Sequence, residues 1–360
     1  MLDKLRQEIN ISIGEFLSLI RKEYRLDLVN PILYESIREF SLRPGKRIRP
    51  LLLLLSYLGY SKAGKKISRS VYNASTCIEF LHNFMLIHDD IIDHSELRRG
   101  QPTMHRVLRN TINCPDPDLL GINLGIIAGD IVYALAIDAF LSIKEDPARK
   151  ERALKYFIQT AAFTAMGEFV DTVHGVDCIG NVQEKDVYLN YSLKTARYTF
   201  DCPLVTGAIL AGAAKKETDR LAKFGLLIGQ AFQIQDDVIG IFESEETIGK
   251  SILSDLEEQK KTLLVAHAYR TLSPQKRKAF LQIFSKTPKT IADLEEVRAI
   301  FLSSGSLAYC LEALGSRTLQ AKKILDSLTM LPRYRQLVSD SLFQLFRQSE
   351  DVARRYGIKT

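Results

Sequence analysis

The chain has 360 residues, 46% hydrophobic and 26% charged, so a sizeable core is available and wholesale disorder is excluded. Its net charge of +6 is mild for this length: it does not demand nucleic acid as a partner, and it suits an anionic small substrate. Five scattered cysteines (Cys77, Cys114, Cys178, Cys202 and Cys310) form no CxxC pair, the usage of reduced thiols in a cytoplasmic protein.

The first residues, MLDKLRQEINISIGEF, are amphipathic without an apolar signal core, so no export signal is expected. From there apolar residues recur with helical spacing. The pattern predicts helices over 2–22, 31–41, 48–60, 68–93, 119–141, 147–172, 185–195, 203–212, 218–242 and 260–272, with several more to the end. Breakers separate them: Pro44-Gly45, Gly64, Gly100 to Pro102, Cys114 to Pro117, Gly180-Asn181, Gly249 and Pro274. The 119–141 stretch is apolar enough to suggest a membrane span, but Asp130 and Asp138 interrupt it, and charge is costly in lipid. A buried helix is expected there, with no transmembrane segment. No stretch shows strand alternation between hairpin turns. Length alone leaves one or two domains open; the short connections favour one continuous all-α domain over 1–360.

Within that pattern, IHDDIIDHSELRRG at 87–100 sets three aspartates into an apolar run. On one helix Asp89 and Asp93 share a face, with Asp90 beside them. Like charges at that spacing repel unless a cation enters. Carboxylate oxygens suit Mg²⁺, which keeps waters and bridges to substrate phosphates. A solvated acidic helix end is the alternative, and the preceding Phe80, Leu81, Phe84, Met85 and Ile87 argue against it. A second run, GQAFQIQDDVIG at 229–240, again ends an apolar helix in paired aspartates, Asp236 and Asp237. Two such helices facing each other across a bundle would hold metal ions able to clamp a diphosphate. Cations accompany the clusters: Lys46, Arg47 and Arg49 near a helix start, Arg98-Arg99, Lys194, Lys250 and Lys260-Lys261. Each alone reads as a surface charge; around two acidic clusters they read as phosphate ligands.

Taken in order, GKRIRP (45–50), EFLHNFMLIHDDIID (79–93), RRGQPT (98–103), AGD (128–130), KTA (194–196), GQAFQIQDD (229–237) and GK…DLEEQKKT (249–262) resemble the trans-isoprenyl diphosphate synthases of the polyprenyl synthetase family. The pattern is closest to geranylgeranyl diphosphate synthases. The resemblance implies an all-α isoprenoid-synthase bundle around a deep central cavity, usually a homodimer. It implies a Mg²⁺-dependent prenyltransferase that joins isopentenyl diphosphate to an allylic diphosphate. By motif position it implies Asp89, Asp93 and Asp236 as metal ligands, supported by Asp90 and Asp237. It places Arg98, Lys194 and Lys260 on the allylic diphosphate, and Lys46, Arg49, His82 and Arg99 on isopentenyl diphosphate. Thr195, Gln233 and Lys250 line the same region. His88 and His94 read as exposed or core histidines rather than metal ligands.

Two positions depart from the family pattern. Gly240 stands where many members carry a third aspartate, and Gly167-Glu168 stands where a Gly-Gln pair precedes a later aspartate, here Asp171. A class I terpene cyclase would carry an Asn-Asp second motif, and that dipeptide does not occur. A non-catalytic subunit of a heteromeric synthase tends to lose its acidic motifs, and both aspartate pairs are present. Phe84, five residues before Asp89, resembles the side chain that forms the floor of the product tunnel in the family, with Met85 beside it. That implies geranylgeranyl diphosphate as product, ahead of farnesyl or longer prenyl diphosphates.

Overall fold

The computed structural model describes residues 1–98, 100–245 and 251–358, the side chain of Asp27 excepted. In chain order the helices are α1 (Leu2–Glu23), α2 (Leu26–Val29), α3 (Pro31–Leu42), α4 (Ile48–Tyr60), α5 (Arg69–Ile92), α6 (Met104–Leu108), α7 (Pro117–Leu141), α8 (Pro147–Val176) and α9 (Glu184–Asn190). A π-helical segment, Tyr191–Asp201, leads into α10 (Cys202–Ala211) and α11 (Lys215–Phe242). Then come α12 (Ser254–Glu257), α13 (Leu263–Thr271), α14 (Pro274–Ser285), α15 (Ile291–Ser303), α16 (Ser306–Asp326), α17 (Pro332–Phe343) and α18 (Arg347–Arg355).

The expected all-α class holds, with one correction: Leu97–Arg98 pairs antiparallel with Gln101–Pro102. Only two residues long on each side, this hairpin is too short to show alternation in sequence. The chain packs into two compact units: residues 1–158, 203–218 and 329–335, and residues 159–202, 219–328 and 336–360.

In the first unit α5 packs along α7 and against α1 and α4. Leu51 to Leu55 of α4 are all fully buried. Each contributes about 1.5–3 kcal/mol relative to exposure, which is why that helix shows no polar face. Glycines bring α7 close to its neighbours: a Cβ on Gly121 would collide with the carbonyl of His105, and one on Gly129 with the ring of His88. The helix begins at Pro117, two residues earlier than predicted. Asp116 accepts from the backbone of Leu119 at 3.0 Å, and proline at the first helical position lacks only an amide that would have no partner there. Among the described residues this is the one single helix long and apolar enough to cross a bilayer; it is not the buried helix expected, since Leu119, Ile126, Ile127 and Leu141 are exposed.

In the second unit the predicted 185–195 helix divides into α9 and the π-helical segment, whose Tyr191, Ala196, Thr199 and Phe200 are buried. A Cβ on Gly229 of α11 would collide with Ala196, and one on Gly167 of α8 with the backbone nitrogen of Lys194. Both helices therefore touch the π-helical backbone directly. π-Helical insertions concentrate at functional sites, and this one carries Lys194 and Thr195. The predicted 260–272 helix starts later, at Leu263, capped by the hydroxyl of Thr262.

Candidate active site

In the first unit α5 ends at Ile92, with Asp93 as its C-terminal cap. Asp93 donates its amide to the carbonyl of Asp89 at 2.8 Å, so the two side chains lie one turn apart on one face. Their carboxylate oxygens come within 4.8 Å of each other. Asp90 turns the other way and is wholly buried. Arg98 donates to Asp90 at 2.8 Å through Nε and again through a terminal nitrogen, which also lies 3.2 Å from Asp89. Gly100 (φ +74°) closes the hairpin turn that brings Arg98 back. Burial pushes the Asp90 carboxyl up to about 6, with Arg98 opposing it, and its Oδ2 has no hydrogen-bond partner among the described residues. Asp89 and Asp93 thus offer the paired, partly exposed hard oxygens that Mg²⁺ requires, and the residues fit that ion. Asp90 instead anchors Arg98.

The GKRIRP segment splits its cations. Lys46 is exposed and Arg49 half-buried, whereas Arg47 is buried with a left-handed backbone (φ +49°). Arg47 donates to Asn10 at 2.9 Å, to the carbonyls of Ser41 and Arg43 at 3.0 Å each, and to the buried carboxylate of Glu79. Nothing in the local sequence distinguishes this inward arginine from its outward neighbours; partners distant in the chain, Glu79 and Asn10, do so. His82 is buried on α5, between Glu79 and Asp89 in sequence. Phe84 and Met85 are half-buried. The Phe84 ring lies 4.7 Å edge-on from His88 and 4.9 Å from Tyr133. Arg99 and Lys250 lie outside the described residues.

In the second unit the same division recurs. Asp236 is exposed while Asp237 is buried. Asp237 accepts from the hydroxyl of Tyr191 and from Gln233 Nε2 at 3.0 Å, and the Tyr191 oxygen accepts the Leu263 amide at 2.9 Å. Burial pushes Asp237 up to about 8 against those hydrogen bonds, and pushes Tyr191 well above its ordinary range. Thr195 donates to Gln233 at 2.6 Å, tying the π-helical segment to α11. Lys194 reaches Asp171 at 2.7 Å and Glu168 at 2.9 Å. The Glu168 departure therefore supplies a second carboxylate to this lysine. Lys260 lies 3.0 Å from Asp255 and 2.9 Å from Glu258.

Sequence reasoning did not assign Tyr191, Glu168, Asp171 or Asp255 a role. Each is defined by a partner distant in the chain or by a packing contact, neither of which a motif records. Each acidic pair presents its first aspartate outward and anchors its second; Arg98 is held at the first pair, and Lys260 lines a small cavity with Asp237 of the second. Such a set can bind divalent metal and polyphosphate and stabilise negative charge that develops on a leaving group.

The polyprenyl synthetase family model matches residues 30–301. The short chain isoprenyl diphosphate synthase of Methanocaldococcus jannaschii is 31% identical over 77% of this chain and 78% of its own length. The geranylgeranyl diphosphate synthase of Methanosarcina mazei is 29% identical over 94% of this chain and 95% of its own. Among solved structures, the Corynebacterium glutamicum geranylgeranyl pyrophosphate synthase complexed with isoprenyl diphosphate and magnesium superposes with a TM-score of 0.86, at 26% identity over 97% of this chain and 99% of that one.

Proposed function

The chain belongs to the polyprenyl synthetase family, and from that premise we propose that it is a magnesium-dependent trans-prenyltransferase that condenses isopentenyl diphosphate with an allylic diphosphate to make geranylgeranyl diphosphate. The observation that carries this reading is the repeated arrangement of outward and anchored aspartates, with Arg98 tethered at the first pair and Lys260 lining a cavity with Asp237 of the second. Loss of diphosphate from the allylic carbon separates a carbocation from a strongly charged anion, so preorganised positive charge is what the step needs. The proposed ligands are Asp89 and Asp93 of the first cluster and Asp236 of the second; magnesium, when bound, supplies charge to the departing diphosphate.

The chain's own residues do the rest. Arg98, Lys194 and Lys260 bind the allylic diphosphate. Their carboxylate partners hold the side chains ready, so little ordering entropy is lost on binding. Lys46, Arg49, His82 and Arg99 hold isopentenyl diphosphate, whose double bond attacks the allylic carbon. The proton lost afterwards goes to the diphosphate. Phe84, braced by Tyr133 and His88, forms the floor that stops growth.

The same reading takes 1–360 as one functional domain in a cytoplasmic homodimer. Leu119, Ile126, Ile127 and Leu141 are exposed at near-heptad spacing on α7, an apolar stripe that a second copy would cover. The test is release of inorganic diphosphate by the purified chain. The proposal requires that release to depend on both isopentenyl diphosphate and Mg²⁺. Release from the allylic substrate alone would favour a cyclase, and no release would favour a non-catalytic subunit.

A further inference from the structure

Gly240 stands one helical turn after Asp236 on α11, on the same face. The space a side chain would fill there is already taken: a Cβ on Gly240 would collide with Oδ2 of Asp255. Asp255 is buried, and its other oxygen, Oδ1, accepts from Lys260 Nζ at 3.0 Å. The two residues are also bound through the backbone. The Lys260 amide donates to the Asp255 carbonyl at 3.2 Å, and the Gln259 amide to the Leu256 carbonyl at 3.2 Å. With Gln259 left-handed at φ +51°, these are the paired bonds of a Schellman cap that ends α12. Asp255 and Lys260 are therefore joined through both side chain and backbone, with Glu258 holding the same ammonium at 2.9 Å, and Gly240 is where the Asp255 carboxylate rests. Asp237, Asp255 and Lys260 line one small cavity of this unit.

We propose that Asp255 is a positioning residue: seated on the bare backbone of Gly240, it sets where Lys260 stands for the allylic diphosphate. The glycine that breaks the second aspartate motif is then a requirement of the site. This rests on the reading of Lys260 as an allylic diphosphate ligand.

The seat is tested with Gly240→Ala, Asp255→Ala, their double variant and Lys260→Ala as control. Alanine is a better helix former than glycine, so Gly240→Ala keeps α11 intact. Its methyl group pushes Asp255, and Lys260 with it. Gly240→Ala and Asp255→Ala should each raise the KM for the allylic diphosphate about tenfold, the loss of roughly one charge-assisted contact. The KM for isopentenyl diphosphate should not change, and the double variant should be no worse than the poorer single one. Calorimetric titration with a non-ionising allylic thiodiphosphate should show the same weakening, with thermal unfolding reporting the fold. A normal allylic KM in well-folded Gly240→Ala, or fully additive effects in the double variant, overturns the seat while Lys260→Ala still weakens allylic binding. If Lys260→Ala itself leaves that KM unchanged, the assignment of Lys260 falls, and the seat falls with it.

Discussion

Arg98 donates to Asp90 across 2.8 Å, and the acceptor is wholly buried. The contact joins the end of α5 to a hairpin eight residues later and turns one of three clustered aspartates away from the proposed metal-binding face. Burial raises the Asp90 pKa from 3.8 to about 6. A carboxyl whose folded pKa is raised contributes stability that is fully present below its unfolded pKa and is lost as pH rises through the folded one. Removing Arg98 takes away the charge that opposes this shift and leaves the ionised carboxylate without its ion-pair partner. Metal-free Arg98→Ala should therefore match the wild type near pH 4 and fall progressively behind as pH rises through about 6 and beyond. Denaturant unfolding across that range measures the gap. A gap independent of pH would mean that the pair does not set the titration of Asp90.

The outward aspartates should behave differently. Asp89→Ala and Asp236→Ala each remove a proposed ligand and relieve repulsion between carboxylates, so both should fold normally. Turnover should fall at least about a hundredfold, the scale of losing one preorganised element that stabilises charge in the transition state. Steady-state kinetics beside thermal unfolding checks both halves. Near-normal rates in either variant, or full activity in excess chelator, would contradict the metal assignment.

Both aspartate clusters, the all-α class and the order of the helices were legible in the sequence, because each leaves a local trace: paired acids in an apolar run, a 3.6-residue repeat, a proline or glycine between helices. The inward turn of Arg47, Asp90 and Asp237 was not. Each depends on a partner that the fold alone brings close: Glu79 for Arg47, the hairpin for Arg98 and Asp90, Tyr191 for Asp237. The π-helical segment was missed for a related reason. Its residues read as ordinary helix, and only the close approach of Gly167 and Gly229 shows how tightly neighbouring helices pack on it. The meaning of Glu168 was hidden until Lys194 lay beside it.

The two diphosphate sites should separate kinetically. Arg49→Ala should raise the KM for isopentenyl diphosphate roughly tenfold to a hundredfold, equivalent to losing a charge-assisted contact of about 1.5–3 kcal/mol. Lys194→Ala should act chiefly on the allylic substrate and leave Glu168 and Asp171 facing each other without their shared cation. Initial rates with each substrate varied in turn decide it. Both variants shifting the same KM would show the assignment to be wrong.

Product length should respond to Phe84. Its ring lies five residues before Asp89, roughly 7.5 Å along the helix axis, and it packs on Tyr133. Phe84→Ser should shift the products beyond twenty carbons while diphosphate release continues. An unchanged product from a well-folded Phe84→Ser enzyme would remove Phe84 as the floor.

The most direct measurement is the chain length made by the unmodified protein. Purified chain, isopentenyl diphosphate, farnesyl diphosphate and Mg²⁺ are incubated together, the products are dephosphorylated, and the alcohols are separated by reverse-phase chromatography. The account predicts a twenty-carbon prenyl alcohol that needs both substrates and the metal and does not extend further with time. An absence of condensation, a product formed without isopentenyl diphosphate, or a ladder running well past twenty carbons would contradict it.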